Sequence, residues 1–564
     1  MSAVADSSTP SADYVQRVGV STSSRAQVPR EGNSPFACLK RTWFSFRWKL
    51  SRSIFSRPVP LLTATLKLGD VLVTLPLAAL VLAVNANLCA KQEVKESGSL
   101  PMIAMIITFA LTIRNNSILL TLTGLPFERL VFYHKFVGVV AILLTGLHGL
   151  AYLLEDEGVT AARRLRGGGG DNGPLMEQKQ SGAICFYLLC ALRVFSLAPI
   201  RRRFYEGFLR MHWLLFIGIV VFAVIHGAGG VVIGLIPWVL DLAFRHGYLV
   251  QKYFRGGFVN ILLFKNVGVI SQQQVSMSHL PGDVLRIQFP RVRADTGESF
   301  KYEAGQYVFI CIPSLSLLEW HPFTISSSPS EILVTIHIKS LGDWTKKLLT
   351  KTPLNSVVKA QFSVLVDGPY GSVSIDIGNP KTYSHVALFS GGIGITPMQA
   401  VANQLFFDFH QCGRELKKVL FIWSVRERAM VEAMMNADFI EERKLLQGHT
   451  PAYLPDDLTS AGPNGGSTTP NDVFKAEFYL TKCQPDLENP IDRRLQHCMR
   501  YNTRPDVEDT LKTLGQKAKS DSKERVAVLV CGPSTLAREV INISMKLQRS
   551  SKIKYDVHTE CFDF

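Results

Sequence analysis

The chain has 564 residues, a formal net charge of +15 and 47% hydrophobic residues. Its mean hydropathy of +0.15 is high for a wholly soluble protein and suits a chain that lies partly in lipid. The basic residues gather beside apolar stretches rather than in one tract, which argues against nucleic acid as a partner. The ten cysteines contain no C-x-x-C pair, which argues against zinc and disulfide scaffolds.

Residues 1–35 are rich in Ser, Ala, Pro and Val without periodicity, and read as a disordered tail with no cleavable signal peptide. The basic, aromatic run 40–57 fits either an amphipathic segment on the membrane surface or a solvated juxtamembrane stretch. Together, residues 1–60 are expected to form a cytoplasmic tail. Apolar spans follow near 66–90, 101–123, 131–154, 182–198, 204–229 and 231–250. Most approach the roughly 20 residues that cross a hydrocarbon core, so 61–255 is predicted to be a six-helix transmembrane domain. Six spans put both termini on one side. Arg201-Arg202-Arg203 between spans four and five, and Arg245, Lys252 and Arg255 after span six, make that side the cytoplasm. The loop 155–180, with its GGGG run, reads as flexible. Cys185 and Cys190 lie in an apolar span and read as packing residues.

Spans three and five each carry two histidines, His134 and His148, then His212 and His226, with thirteen residues between the members of each pair. Fourteen helical steps advance about 1400° and rise roughly 21 Å, so each pair occupies one helix face near opposite ends of a span. Both helices run outward, so His134 and His212 share the inner level and His148 and His226 the outer. Facing histidines at two depths suit two bis-histidine haems. The alternatives are histidines hydrogen-bonded to neighbouring helices, or a histidine-lined path for a metal ion or haem.

After residue 255 the chain becomes soluble. Short β-like runs with intervening Gly and Pro over 256–378 predict an antiparallel barrel. From 379 to 564, apolar strands (HVALFS, VLFIWSV, AEFYLTK, RVAVLV) alternate with helical segments, the pattern of a parallel α/β sheet, with a mobile insertion expected at 448–473. Strand His385–Ser390 runs into Gly391-Gly392-Ile393-Gly394-Ile395-Thr396-Pro397. Glycines permit close approach to a pyrophosphate and the following helix N-terminus attracts it, while Pro397 suits a first helical turn. A second strand–turn–helix, Val526–Val530 then Cys531-Gly532-Pro533-Ser534, can end at the same sheet edge. Arg426, after VLFIWSV, stands where a 2′-phosphate could be read; its alternative is a surface arginine.

Trp320-His321-Pro322-Phe323-Thr324-Ile325-Ser326-Ser327 and His337-Ile338-Lys339-Ser340-Leu341-Gly342-Asp343-Trp344-Thr345 resemble the flavin motifs of the ferric reductase/NADPH oxidase superfamily. The paired histidine spans and both glycine turns resemble it too, over about residues 100–564. The resemblance implies a multi-domain membrane protein: a six-helix, all-α, di-haem bundle plus a ferredoxin-reductase-like module with an FAD-binding β-barrel and a Rossmann-like NADPH domain. It implies FAD contacts by His321, Pro322, Phe323, Thr324 and His337, and a pyrophosphate held by Lys339, Gly342, Trp344 and Thr345. Lys339 replaces a frequent arginine, exchanging a bidentate grip for a point charge. For NADPH it implies Gly391, Gly392, Gly394, Thr396, Pro397, Gly532 and Pro533, with Arg426 and Arg504 favouring NADPH over NADH and Cys531 near the nicotinamide. Phe564, or alternatively Phe562, is expected to guard the flavin face.

The activity so implied is electron transfer from cytosolic NADPH through FAD and two haems to an acceptor across the membrane, with no side chain acting as nucleophile or base. The stretch Ile113-Arg114-Asn115-Asn116, then Leu122 to Leu130 and Tyr133-His134, resembles ferric reductases most. Glu155-Asp156-Glu157 could attract Fe³⁺, or form a solvated loop. Superoxide producers often carry a further histidine where this chain has Tyr152, and no EF-hand pattern precedes the spans. The expectation is therefore a reductase of ferric chelates or other metal ions, with O2 reduction to superoxide as the alternative. A transporter or a purely structural membrane protein leaves the soluble half unexplained. The membrane expected by family default is the plasma membrane.

Overall fold

The computed structural model describes residues 68–91, 93–112, 127–166, 173–243, 257–261, 264–270, 274–292, 299–316, 319–352, 357–359, 362–371, 373–435, 473–551 and 553–560. The expected tail 1–60, residues 448–472 of the expected insertion, the 113–126 stretch, Arg245, Lys252, Arg255, Phe562 and Phe564 lie outside them. The chain divides into two compact units. One runs essentially from Asp70 to Phe254; the other holds the strands and helices beyond Arg255.

The first unit is helical: α1 Leu68–Ala90, α2 Ser99–Ala110, α3 Phe127–Arg166, α4 Gly173–Phe195 and α5 Tyr205–Ile225. A 3₁₀ segment Gly229–Leu235 and a short α6 Ile236–Ala243 follow. Among the described residues, three stretches are long and apolar enough to cross a membrane: Leu68–Ala90, Leu130–Leu154 and Gly207–Ile225. Their outward faces expose Val73, Leu80, Leu153 and Leu214, as lipid-facing helices do. The protein is an integral membrane protein. Its inner packing uses small and medium side chains, Ala104, Ala141, Leu144, Cys185, Ile219 and Ala223, which let backbones approach. Cys185 is buried there, its thiol near the Ile219 carbonyl at 3.7 Å.

Three expectations change. The loop 155–180 is helical over 155–166, where α3 continues, and again from Gly173, where α4 begins. The fourth span, expected at 182–198, therefore starts earlier, and it ends at Phe195. The sixth span opens as a 3₁₀ segment, in which Gly234 presses on the α2 backbone. A Cβ there would lie 2.7 Å from the Ile106 carbonyl oxygen.

The second unit begins with a two-sheet antiparallel barrel. One sheet has the order β1 (Gly257–Ile261), β2 (Phe264–Ile270), β9 (Val364–Tyr370), β5 (Tyr307–Cys311), β6 (His321–Thr324). The other has the order β7 (Leu333–Lys339), β4 (Val284–Pro290), β3 (Ser276–Leu280), β8 (Val357–Lys359). Alternation places Ile287, Val308, Ile310, Ile336 and Val366 in a shared core. The expected run VKAQFSVLV divides between β8 and β9, one in each sheet.

A six-stranded parallel sheet follows, ordered β13 (Met499–Tyr501), β12 (Phe474–Leu480), β11 (Lys418–Val425), β10 (His385–Gly391), β14 (Arg525–Cys531), β15 (Lys554–Glu560). After the barrel's α7 (Asp343–Leu349), helices α8 (Ile395–Gln411) and α9 (Arg428–Met435) cover one face of this sheet. Helices α10 (Val507–Ser520) and α11 (Ser534–Ser551) cover the other. Parallel strands buried on both faces read as continuous apolar runs, as RVAVLV does. Every strand of this sheet ends at the same edge. The order reverses between β10 and β14, the switch point at which such sheets open a crevice.

Candidate functional site

In the membrane unit His134 lies beside His212, and His148 beside His226. The rings of His134 and His212 have centroids 6.4 Å apart, and those of His148 and His226 6.0 Å. A metal held between two imidazole nitrogens at about 2 Å each, with each ring centre about 1 Å beyond its nitrogen, separates the centres by about 6 Å. Each pair therefore leaves space for one iron.

The remaining ring nitrogens sort the tautomers. His134 Nδ1 donates to the Thr108 carbonyl at 2.9 Å, and His226 Nδ1 to the Gln178 carbonyl at 2.7 Å. A carbonyl only accepts, so in both rings the proton sits on Nδ1 and Nε2 keeps its lone pair. His148 Nδ1 lies 2.8 Å from the Ser97 hydroxyl. His212 Nδ1 is buried and has no hydrogen-bond partner among the described residues. Two glycines clear the outer rings: a Cβ on Gly182 would sit 2.6 Å from His226 Cε1, and one on Gly98 3.2 Å from His148 Cε1. Sequence reasoning singled out none of Ser97, Gly98, Thr108, Gln178 or Gly182. The ring of Tyr152, one turn beyond His148, stands edge-on to it at 5.9 Å, with the Lys179 ammonium 5.4 Å from the Tyr152 ring centre. Glu155, Asp156 and Glu157 continue α3; their side chains lie outside the described residues.

In the soluble unit a cleft of about 440 Å³ gathers residues from both expected sets. Pro322, Phe323, Thr324, His337 and Lys339 line one wall, and Gly391, Gly394, Thr396, Cys531, Gly532 and Pro533 the other. Two backbone turns form its floor by touching directly. A Cβ on Gly394 would meet the Cys531 carbonyl oxygen at 2.5 Å, and one on Gly391 would meet Pro533 Cδ at 2.6 Å. Only glycine permits both contacts, and they leave backbone rather than side chains facing the cleft. The first turns of α8 and α11 carry no acidic residue, so nothing there opposes an anion. Ser326 Oγ holds His337 Nδ1 at 2.7 Å, and Lys339 Nζ donates to the Gly282 carbonyl at 2.7 Å, leaving further N–H donors on the ammonium.

Several expected residues lie elsewhere. Trp344 is buried in the barrel core, stacked on Phe323 at 6.0 Å and close to His321 at 4.3 Å. It supports the flavin-motif residues from beneath and does not line the cleft, because an indole of that size at the start of α7 packs inward. Neither His321 nor the Gly342–Thr345 turn lines the cleft. In that turn the Leu341 and Gly342 N–H groups donate to Thr345 Oγ1, an internal cap rather than a free anion nest. Gly392 adopts φ +55 in the first glycine turn, and Pro397 is buried in the first turn of α8. Exposed Arg426 follows β11 and exposed Arg504 follows β13, both at the carboxyl edge of the sheet and outside the cleft lining.

Glu560, at the end of β15, also lines the cleft, and no sequence motif marks it. Its Oε1 lies 3.5 Å from His558 Nε2, while its Oε2 is buried with no hydrogen-bond partner among the described residues. Its signal was positional: a carboxylate ending the last strand of a parallel sheet reaches the ligand edge.

Three family models match in succession: a ferric reductase like transmembrane component over residues 97–224, an FAD-binding domain over 269–374, and a ferric reductase NAD binding domain over 383–545. Among curated relatives, human dual oxidase 1 is 26% identical over 462 residues, covering 78% of this chain and 28% of that protein. Mouse NADPH oxidase 1 is 30% identical over 281 residues, covering 44% of this chain and 45% of that protein. The chain thus spans less than half the length of these two relatives. A cytochrome P450 reductase from Amycolatopsis aligns over 54% of this chain and 72% of its own, at 15% identity and a TM-score of 0.33. With a transmembrane component, an FAD-binding domain and an NAD-binding domain in this order, the chain belongs to the ferric reductase/NADPH oxidase superfamily.

Proposed function

We propose that the protein passes electrons from NADPH, through FAD and two b-type haems, to a ferric chelate on the opposite side of the membrane. The observation that carries this reading is the pair of histidine sets at 6.4 and 6.0 Å, built into a chain that also holds a dinucleotide cleft. Bound flavin supplies the conversion between two-electron hydride chemistry and one-electron transfer.

The protein's own residues hold and orient. His134 with His212, and His148 with His226, would each hold one haem iron, and the Nδ1 hydrogen bonds of His134, His148 and His226 keep those rings from turning. Phe323 and Thr324 offer a flat apolar face and a hydroxyl for an isoalloxazine ring, backed by Trp344. The two glycine turns and helix N-termini accept phosphates. Cys531, buried at the end of β14, borders the space where a nicotinamide would meet the flavin. Arg426 and Arg504 stand at the edge where a 2′-phosphate would extend.

The ferric acceptor rests on the 113–134 stretch and on Tyr152 in place of a further histidine. Reduction of O2 to superoxide is the second reading, favoured by relatives named dual oxidase and NADPH oxidase. The plasma membrane and cytoplasmic termini complete the proposal. Purified protein loaded with haem and FAD decides between acceptors. NADPH oxidation is followed with ferric citrate under anaerobic conditions, then with oxygen and a superoxide trap. Fast anaerobic iron reduction with little superoxide supports the reductase. Superoxide at an equal or higher rate, with slow iron reduction, makes it an oxidase.

A further inference from the structure

The four imidazoles differ in what their second nitrogen meets. In the inner pair, His134 Nδ1 donates to a carbonyl and His212 Nδ1 has no partner among the described residues. In the outer pair both are engaged, His226 by the Gln178 carbonyl and His148 by the Ser97 hydroxyl. Ser97 is fully buried, at the end of a one-turn helix Val94–Ser97, immediately before Gly98. The two residues act together: Gly98 clears the ring and Ser97 pins it. The same arrangement recurs at His226, where Gln178 pins and Gly182 clears.

With Nε2 committed to iron, His148 carries its proton on Nδ1 and Ser97 Oγ accepts it. An acceptor on Nδ1 shifts electron density through the ring onto Nε2, making it a stronger donor. Stronger donation stabilises the oxidised iron, with its extra positive charge, and lowers its reduction potential. Among the described residues the outer set has two such acceptors and the inner set one.

We propose that Ser97 is a positioning residue for His148, and that the unequal Nδ1 partners make the outer site the lower-potential of the two. Electrons delivered to the far side then sit at the more reducing centre, next to the acceptor. The inference rests on the haem reading above.

The test is potentiometric titration of full-length, haem-loaded protein in detergent, followed in the Soret and α bands, with haem per flavin measured by pyridine haemochromogen. Wild type is expected to titrate in two one-electron waves. Ser97→Ala is expected to raise the lower wave alone, by about tenfold in the electron-transfer equilibrium, or about 59 mV for a one-electron couple. Ser97→Thr, which keeps the hydroxyl, is expected to restore the wild-type wave. Movement of neither wave, or of both equally, overturns the proposal. So does a single shared wave in wild type, which needs no variant and keeps the test open should Ser97→Ala fail to fold. Protein that binds flavin but no haem under any loading condition instead refutes the haem reading itself.

Discussion

Gly394→Ala tests the joined glycine turns directly. The backbone of Gly394 is ordinary helical, φ −62, so alanine adds no backbone strain and the effect is purely one of space. The new methyl would stand 2.5 Å from the Cys531 carbonyl oxygen, 2.8 Å from its carbon and 3.1 Å from its sulfur. An ordinary contact needs about 3.5 Å, so the β14 turn must retreat by roughly 1 Å. The two nearest of these atoms are main chain in a packed sheet, so rotating the Cys531 side chain relieves neither contact. Overpacking of this kind costs about 1–3 kcal/mol. A displacement of about 1 Å between reacting groups costs on the order of 100-fold in rate. The assay is NADPH-driven reduction of a soluble dye that takes electrons from flavin, which bypasses the histidine pairs, alongside thermal unfolding. Gly378→Ala is the control, since a Cβ there meets nothing within 4 Å. Dye reduction by Gly394→Ala at the wild-type rate, with normal stability, would refute the claim that the two turns must touch.

Gly182→Val places carbon where His226 sits, so haem per flavin should fall by about half, while Gly149→Ala, which meets nothing within 4 Å, keeps both haems. Arg428 grips fully buried Asp492 through two 2.9 Å hydrogen bonds. Arg428→Ala leaves that carboxylate without its main partner and should cost about 3 kcal/mol in denaturant unfolding. Burial opposes ionisation of Asp492, but hydrogen bonds from Arg428 and the Asp486 N–H outweigh it and hold the carboxyl below its ordinary range. This contribution is complete above about pH 4 and should fade as the pH drops through the folded value; Arg428→Ala should flatten that acid limb. Arg426→Ala should raise KM for NADPH roughly tenfold or more and leave KM for NADH unchanged, as loss of a charged hydrogen bond predicts. Equal effects on both nucleotides would return Arg426 to the status of a surface residue.

The features legible in the sequence are those with a short period or a local cause. Histidine spacing needs only helix geometry, and the glycine turns announce themselves beside apolar runs such as HVALFS and RVAVLV. What escaped depends on residues distant in the chain. Ser97 reaches His148 from 51 positions away and Gln178 reaches His226 from 48, so no local pattern reveals them. Short or polar strands also escaped: β6 has four residues, β13 three, and β15 carries Asp556, His558, Thr559 and Glu560 among its seven. The motif assigns Trp344 to the pyrophosphate, yet its size and burial make it core. The sixth span looked apolar throughout, but hydropathy does not register that it opens as a 3₁₀ segment.

The pins on the histidines differ in how open they are to change by mutation. At His134 and His226 the acceptor is a main-chain carbonyl, present whatever side chain occupies positions 108 and 178. Drift at those positions leaves ring orientation untouched. At His148 the acceptor is a serine hydroxyl, which one substitution at position 97 can delete or exchange for another group. One coordination level is therefore insulated from variation, while the other carries a separately heritable adjustment. Divergence in driving force between members of such a lineage can begin at position 97 without disturbing the ligands themselves.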